Sequence, residues 1–144
     1  MPEGTCICCS AELDDGALGW QAVAPSQVDF PMSDPRLAEL LAAAPGLRLK
    51  TDAGDLEHYG RDWTRRWTPA PLAIALPASV EEVQAIVRWA HANQIALVPS
   101  GGRTGLSGGA VAANGELVLS LERMHKVLAF NAVDRLLTVQ AGIA

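Results

Sequence analysis

The sequence predicts an α+β fold in which a βαβ unit is followed by further β-strands. Apolar runs at residues 72–76 and 95–98 have the length of buried strands, and a helical pattern lies between them. Three more runs of strand type follow, at residues 117–121, 127–130 and 136–139. We expect the two strands that flank the helix to be parallel and the crossover between them to be right-handed.

A first, short helix is predicted from Asp34 onward. Asp34 is a capping residue and Pro35 suits the first helical turn, and the pattern ends at residues 45–46. The apolar residues with helical spacing are Leu37, Leu40 and Leu41. Residues 48–66 lose this pattern and are predicted to be a structured surface loop. Residues 1–31 show no period, so we expect a poorly ordered leader before a folded part at residues 32–144.

The second helix has the clearest signal. Ser79 and Glu82 have the spacing of a capping box, and the pattern ends near Asn93. The residues expected on its apolar face are Val83, Ile86, Val87 and Ala90. Further along the chain, residues 131–134 separate two strand-like runs and predict a hairpin.

Composition and charge exclude several classes of protein. The 144 residues are 49% hydrophobic and 19% charged, which is typical of a globular protein with a core. The net charge of −5 argues against non-specific nucleic-acid binding. No apolar run approaches the roughly 20 residues that span a bilayer. No secretory signal is recognisable either, so we expect a cytoplasmic protein without a membrane-spanning segment.

The cysteines do not predict a metal site. Cys6, Cys8 and Cys9 form one cluster, and His58 and the other histidines, His91 and His125, have no ligand-like spacing from it. A soft metal remains an alternative for the cluster, but a terminus that packs little is favoured. His91 and His125 are expected to be surface or packing residues.

The candidate functional site is the glycine-rich segment 99–109. Its residues are Pro99, Ser100, Gly101, Gly102, Arg103, Thr104, Gly105, Leu106, Ser107, Gly108 and Gly109. Glycines that adopt positive φ let consecutive N–H groups point into one concavity, which suits an anion such as phosphate. The alternative is a tight connection between two strands. Ligand binding is favoured because such a connection needs only two to five residues.

Two common phosphate loops do not fit segment 99–109. A Walker A loop requires a lysine after its last glycine, and the nearest lysine is Lys126. A dinucleotide-binding loop opens a helix, whereas a strand is predicted here. Arg103, Thr104 and Ser107 supply a charge and two hydroxyl groups that could hold a pyrophosphate without magnesium.

Aromatic and charged residues outside the loop have two interpretations. Trp63 and Trp67, with Arg65 and Arg66 between them, could form a basic aromatic binding face. Packing of the tryptophans against the first helix is favoured, because acidic residues nearby offset the arginines. Glu122 and Arg123 are expected to face solvent or to pair locally.

Several separated motifs together resemble a known family. They are residues 72–77, 79–83, 99–109, 120–124 and 139–142, and they are similar to the FAD-binding domain of the vanillyl-alcohol oxidase and p-cresol methylhydroxylase (PCMH) type. Within it, the likeness is greatest to bacterial FAD-linked D-2-hydroxy acid dehydrogenases. Tyr59 and Asp62 match a Tyr-x-x-Asp pattern upstream of the first strand in these enzymes.

The resemblance implies that segment 99–109 wraps the pyrophosphate of FAD through its N–H groups and that Gly142 is a further cofactor-binding residue. Some relatives attach FAD through a histidine at the position of Arg103, so non-covalent binding is expected here. We also expect the chain to be the first part of a longer enzyme. The substrate domain, with the catalytic base and any divalent metal, would lie outside it, so no catalytic residue is predicted in this chain.

The function that the resemblance implies is oxidation of a D-2-hydroxy acid, D-2-hydroxyglutarate or D-lactate, to the 2-oxo acid, with transfer of electrons to an acceptor. One alternative is another flavoenzyme of this superfamily, such as an alditol oxidase. A second is a non-catalytic module that binds a nucleotide or a partner. We expect the 144 residues alone to be inactive and poorly soluble.

Overall fold

The computed structural model of the chain describes residues 34–143. The predicted leader and its three cysteines lie outside these residues. In chain order the elements are α1 (Pro35–Ala43), β1 (Arg48–Lys50), α2 (Ala53–Tyr59), β2 (Ala73–Leu76), α3 (Val80–Ala92), β3 (Leu97–Ser100), β4 (Leu117–Ser120), β5 (Val127–Asn131) and β6 (Leu136–Val139). The predicted α+β class is confirmed.

Four strands form one mixed sheet with the order β1-β2-β4-β3. β4 is parallel to β2 and to β3, and β1 is antiparallel to β2. The two strands of the predicted βαβ unit are therefore parallel, as expected, but β4 lies between them. The carboxyl ends of β2, β3 and β4 consequently meet at one edge of the sheet.

Both faces of the sheet are covered. Ala73 and Ala75 of β2 pack with Leu40 of α1 and Ile86 of α3 in one cluster of buried residues. Ile74 and Leu76 point the other way and pack with Tyr59, Val118 and Ala112. This alternation follows from the two-residue period of a strand. It places α1 and α3 on one face and the end of α2 on the other.

The helix α3 begins as its capping pattern predicts. The Ser79 side chain accepts the N–H of Glu82, and Glu82 Oε2 accepts the N–H of Ala78 at 2.7 Å. Its buried residues are Ile86, Trp89 and Ala90, whereas Val87 is 46% exposed. The prediction for Val87 was wrong because the buried face is centred on Ile86 and Ala90, which leaves Val87 at its margin.

The prediction of a loop over residues 48–66 was also wrong in part. The segment holds the strand β1, which pairs with β2, and the seven-residue helix α2. Neither element is long enough to show a period in sequence. Both are held by contacts with the sheet, which local sequence does not reveal.

The predicted hairpin is present as β5 and β6, with Val127 opposite Val139. Its apolar side chains remain exposed; among them, Phe130 is 69% exposed and Val133 is 92% exposed. An isolated two-stranded hairpin is marginally stable in water. The hairpin thus contributes few buried side chains to the described chain.

We predict that Ser79→Ala destabilises the folded protein by about 1 kcal/mol, because the N–H of Glu82 loses its side-chain acceptor. The free energy of unfolding from urea titration measures this loss. Ser79→Asp, which retains a capping oxygen, is the control and is expected to remain near the wild type. Equal stability of the alanine variant would contradict the role of this cap.

Candidate functional site

The glycine-rich segment starts inside the sheet. Pro99 and Ser100 belong to β3, where Ser100 is buried and lies opposite Ser120 of β4. The chain then leaves the sheet at the edge where the parallel strands end. From Gly101 to Gly109 it forms an irregular loop, and a strand follows it, as predicted. Ligands commonly bind at such an edge in open α/β sheets.

The backbone of the loop differs from the expectation. Of its residues, only Arg103 and Gly108 have positive φ, at 54° and 79°. The other four glycines of the loop have ordinary φ values, so the prediction that the glycines supply a run of positive φ was wrong. Glycine is required by conformation at Gly108 alone.

The other glycines leave open space beside the backbone. A Cβ added at Gly101, Gly105 or Gly109 would meet no atom within 4 Å, and one at Gly102 would meet only the Thr104 methyl group at 3.9 Å. Packing within the described chain therefore does not explain them. The backbone N–H groups of residues 102–107 donate to no acceptor within residues 34–143. Exposed donors on a bare backbone fit an anionic group that approaches the chain closely.

Arg103 lies at the first turn of the loop, which is the first of its two positions with positive φ, and several contacts hold it there. Its guanidinium lies over the ring of Tyr59, 4.8 Å from the centroid, and Nη2 is 3.0 Å from His58 Nε2. Since a guanidinium only donates, His58 Nε2 accepts this hydrogen bond. Nη1 also lies 3.4 Å from the Ser100 hydroxyl. These contacts fix a cation beside the free N–H groups.

Tyr59 connects this turn to the end of β4. Its hydroxyl donates to Glu122, with both carboxylate oxygens at 2.9 Å, and Lys50 Nζ lies 5.1 Å from the ring centroid. Burial raises the pKa of the Tyr59 hydroxyl, and the hydrogen bond to Glu122 adds to this effect. Tyr59 therefore stays a neutral donor at physiological pH.

Asp62 contacts the second turn of the loop, at Gly108, the other residue with positive φ. It is 4% exposed, and its Oδ2 accepts the N–H of Gly108 at 3.2 Å. Oδ1 accepts the N–H and the hydroxyl of Thr64 at 2.9 and 2.6 Å. The hydroxyl of Thr64 lowers the pKa of this carboxyl most, and backbone N–H groups, including that of Gly108, lower it further. Asp62 is thus an anion with both oxygens engaged.

The two tryptophans lie beside the loop and not in a core. Trp63 is 72% exposed and Trp67 is 57% exposed, so the favoured prediction that they pack against the first helix was wrong. An open groove of about 600 Å³ is lined by Thr64, Arg66, Trp67 and residues 106–108 of the loop. A second, of about 190 Å³, lies between Arg103 and the segment 61–65. The alternative interpretation, a basic aromatic face, matches this arrangement.

Gly142 has a packing reason to be glycine. A Cβ there would collide with the carbonyl of Leu121, and the N–H of Gly142 donates to the Met124 carbonyl at 2.8 Å. It lies where the chain returns from the hairpin to the end of β4. Its predicted contact with a cofactor stays a prediction.

The long-range hydrogen bonds of Glu122 and Arg123 were not predicted from the sequence, which suggested solvent exposure or local pairing. Glu122 binds Tyr59, and Arg123 Nη1 donates to the Leu76 carbonyl at 2.7 Å. Their position directly after a predicted parallel strand was the available signal, since such strands end at a shared edge. His91 and His125 are exposed, as expected.

No helix within residues 34–143 is both long and apolar enough to cross a membrane. In the same part of the chain, no three His, Cys, Asp or Glu side chains gather as they would around a metal ion.

Comparison with known proteins identifies the family. Residues 71–144 match the family described as "FAD binding domain". This match covers the strands β2 to β6 and the whole glycine-rich loop. The chain belongs to the FAD binding domain family, and the resemblance seen in its motifs is confirmed.

Individual relatives agree with this assignment. The chain is 78% identical over 112 residues to the D-2-hydroxyglutarate dehydrogenase of Xanthomonas citri pv. viticola and 54% identical over 114 residues to that of Stutzerimonas stutzeri. Each alignment covers 78% of this chain, which spans only 24% of the length of each relative. Among solved structures, an alkyldihydroxyacetonephosphate synthase matches 81% of this chain and 24% of its own, with a TM-score of 0.68 and 28% identity.

We predict that Gly142→Ala lowers the melting temperature by several degrees, because the new Cβ collides with the backbone of Leu121. Differential scanning fluorimetry without added cofactor measures it. Gly54→Ala is the matched control, since its Cβ meets nothing within 4 Å. An unchanged melting temperature for Gly142→Ala would show that the backbone contact is not required.

Proposed function

We propose that the complete protein is an FAD-dependent dehydrogenase that oxidises D-2-hydroxyglutarate to 2-oxoglutarate and passes the electrons to an acceptor. The chain described here supplies part of the FAD site. The observation that carries the proposal is the 78% identity to a D-2-hydroxyglutarate dehydrogenase, which extends through the glycine-rich loop. A D-lactate dehydrogenase or an alditol oxidase is less well supported, because the relatives at 78% and 54% identity are both D-2-hydroxyglutarate dehydrogenases.

The loop residues fit the pyrophosphate of FAD. Four glycines leave the backbone bare, the N–H groups of residues 102–107 are free of partners within the described chain, and Arg103 adds a fixed positive charge. Hydrogen bonds from neutral N–H groups and one cation suit a doubly charged diphosphate. Thr104 and Ser107 are exposed and add hydroxyl donors.

When bound, FAD supplies the two-electron acceptor for oxidation of the substrate α-carbon. The described residues contribute binding and orientation. Residues 99–109 hold the diphosphate, and Arg103 stays in place through Tyr59 and His58. A base for the substrate hydroxyl proton is proposed to lie outside this chain, because the carboxylates beside the loop, Asp62 and Glu122, already accept hydrogen bonds from Thr64, Gly108 and Tyr59.

Non-covalent attachment is part of the proposal. Residues 99–109 contain no histidine, and Arg103 stands where some members of the resembled family carry the histidine that attaches FAD. His58 is the histidine near the loop, and its Nε2 accepts from Arg103. Denaturation of the complete protein in acid should therefore release FAD into the supernatant. Flavin that remains with the precipitated protein would contradict this part.

The central test uses the complete protein. Its visible spectrum should show flavin absorbance, and D-2-hydroxyglutarate should bleach it without oxygen and reduce an added dye. D-Lactate, D-malate and glycolate are the comparison substrates. A protein with flavin that is bleached better by another hydroxy acid would change the substrate, whereas a folded protein without flavin would overturn the proposal. That last outcome would favour the alternative of a non-catalytic binding module.

We predict that Gly102→Asp abolishes retention of FAD. The substitution places a carboxylate beside the N–H groups that are proposed to hold the diphosphate, and like charges repel. Its Cβ has space, so the apoprotein should remain folded. The ratio of flavin to protein absorbance after gel filtration is the measurement.

Gly54→Asp is the matched control for this variant. Gly54 lies in the first turn of α2, where an added Cβ meets nothing and an acidic side chain is tolerated. It should retain FAD as the wild type does. Full flavin content in Gly102→Asp would remove the loop from the cofactor site.

A further inference from the structure

The two turns of the glycine-rich loop are both contacted by one short segment. Arg103 and Gly108 are the loop residues with positive φ. The first is held by His58 and Tyr59, and the second by Asp62. Residues 58–62 thus contact the loop where its backbone changes direction, and the free N–H groups lie between these points.

We propose that Asp62 is a positioning residue of the FAD site: by accepting the N–H of Gly108 it fixes the second turn of the loop before the cofactor binds. Tyr59 and His58 act in the same way on Arg103 at the first turn. This inference rests on the proposed function, since the loop is taken to hold FAD. It assigns a role to the Tyr-x-x-Asp pair that the sequence singled out.

Asp62 acts through Gly108 and not on the cofactor. A free carboxylate beside a diphosphate would repel it, but both oxygens of Asp62 are engaged, with Thr64 and with Gly108, and the residue is 4% exposed. The carboxylate accepts three hydrogen bonds and is almost fully buried. Its contribution is therefore the shape of the loop.

Tyr59, whose ring contacts Arg103, is itself held in place by other parts of the chain. Tyr59 is buried, its ring packs edge-on against His58 with centroids 5.1 Å apart, and its hydroxyl is held by Glu122 at the end of β4. The ring under Arg103 is thus anchored to the sheet. A loop ordered in advance loses less conformational entropy on binding, which increases affinity.

The test measures FAD affinity of the complete protein. Apoprotein is titrated with FAD by flavin fluorescence, and the melting temperature of each apoprotein is recorded. Asp62→Asn is nearly isosteric, but its amide nitrogen cannot accept from Gly108 or Thr64. We expect its Kd for FAD to rise about tenfold or more, with turnover restored to within about twofold of wild type at saturating FAD. Rescue by excess FAD separates positioning from a catalytic role.

Asp52→Asn is the matched control, because Asp52 precedes α2 and its side chain makes no capping hydrogen bond. It should bind FAD as the wild type does. Tyr59→Phe retains the ring under Arg103 and loses the bond to Glu122, and should weaken FAD binding less than Asp62→Asn. A wild-type Kd in a folded Asp62→Asn protein would overturn the positioning role and leave the proposed function intact. A wild type without affinity for FAD would overturn both.

A second measurement decides the matter if Asp62→Asn does not fold. Hydrogen–deuterium exchange of wild-type apoprotein should show protection in peptides that contain Gly108, because its N–H is bonded before FAD arrives. Peptides that cover residues 102–107 should exchange fast and become protected only with FAD. Fast exchange at Gly108 in the apoprotein would overturn the proposal.

Discussion

The parallel pairing of β4 with both β2 and β3 is the constraint on which the site depends. All four residues of β4 are buried, and the strand lies between two others whose carboxyl ends it shares. This pairing puts the start of the glycine-rich loop, after Ser100, beside Glu122, which follows β4. Glu122 then holds Tyr59, so the end of α2 is fixed to the same edge. Three parts of the chain that are distant in sequence meet there because one central strand aligns them.

At this edge each of the two carboxylates has hydrogen-bond donors of its own. Asp62 and Glu122 would oppose a diphosphate if they faced it freely. Their oxygens are instead engaged by backbone N–H groups and by the hydroxyls of Thr64 and Tyr59. Arg103 keeps its guanidinium over the ring of Tyr59 and beside His58 Nε2, without a carboxylate partner among residues 34–143. The loop thus combines N–H groups that have no acceptor in the described residues with a cation that has no carboxylate partner there, although the chain as a whole carries a charge of −5.

Much of this was predictable from sequence, and the part that was not has a common cause. The capping box at Ser79 and the length of the apolar runs predicted α3, β2 and β4 because these signals are local. The glycines, Arg103 and the two hydroxyl residues predicted an anion-binding loop. The hydrogen bonds from Tyr59 to Glu122 and from Gly108 to Asp62 were not predicted, because each joins residues more than forty positions apart. The order β2-β4-β3 is likewise a property of pairing between strands, which no period in the sequence reports.

The five glycines of the loop are not all required for the same physical reason. Sequence treated the five as one feature with one reason, which was access to positive φ. The structure separates them. Gly108 needs that conformation, whereas Gly101, Gly105 and Gly109 do not have positive φ, and a Cβ added at any of the three would meet no atom within 4 Å. A glycine that the folded chain does not need is best explained by something outside it, because a bare backbone costs conformational entropy in the unfolded state. The unexplained glycines therefore support the proposed contact with FAD more directly than Gly108 does, whereas Gly108 is explained by the conformation of the loop and its contact with Asp62.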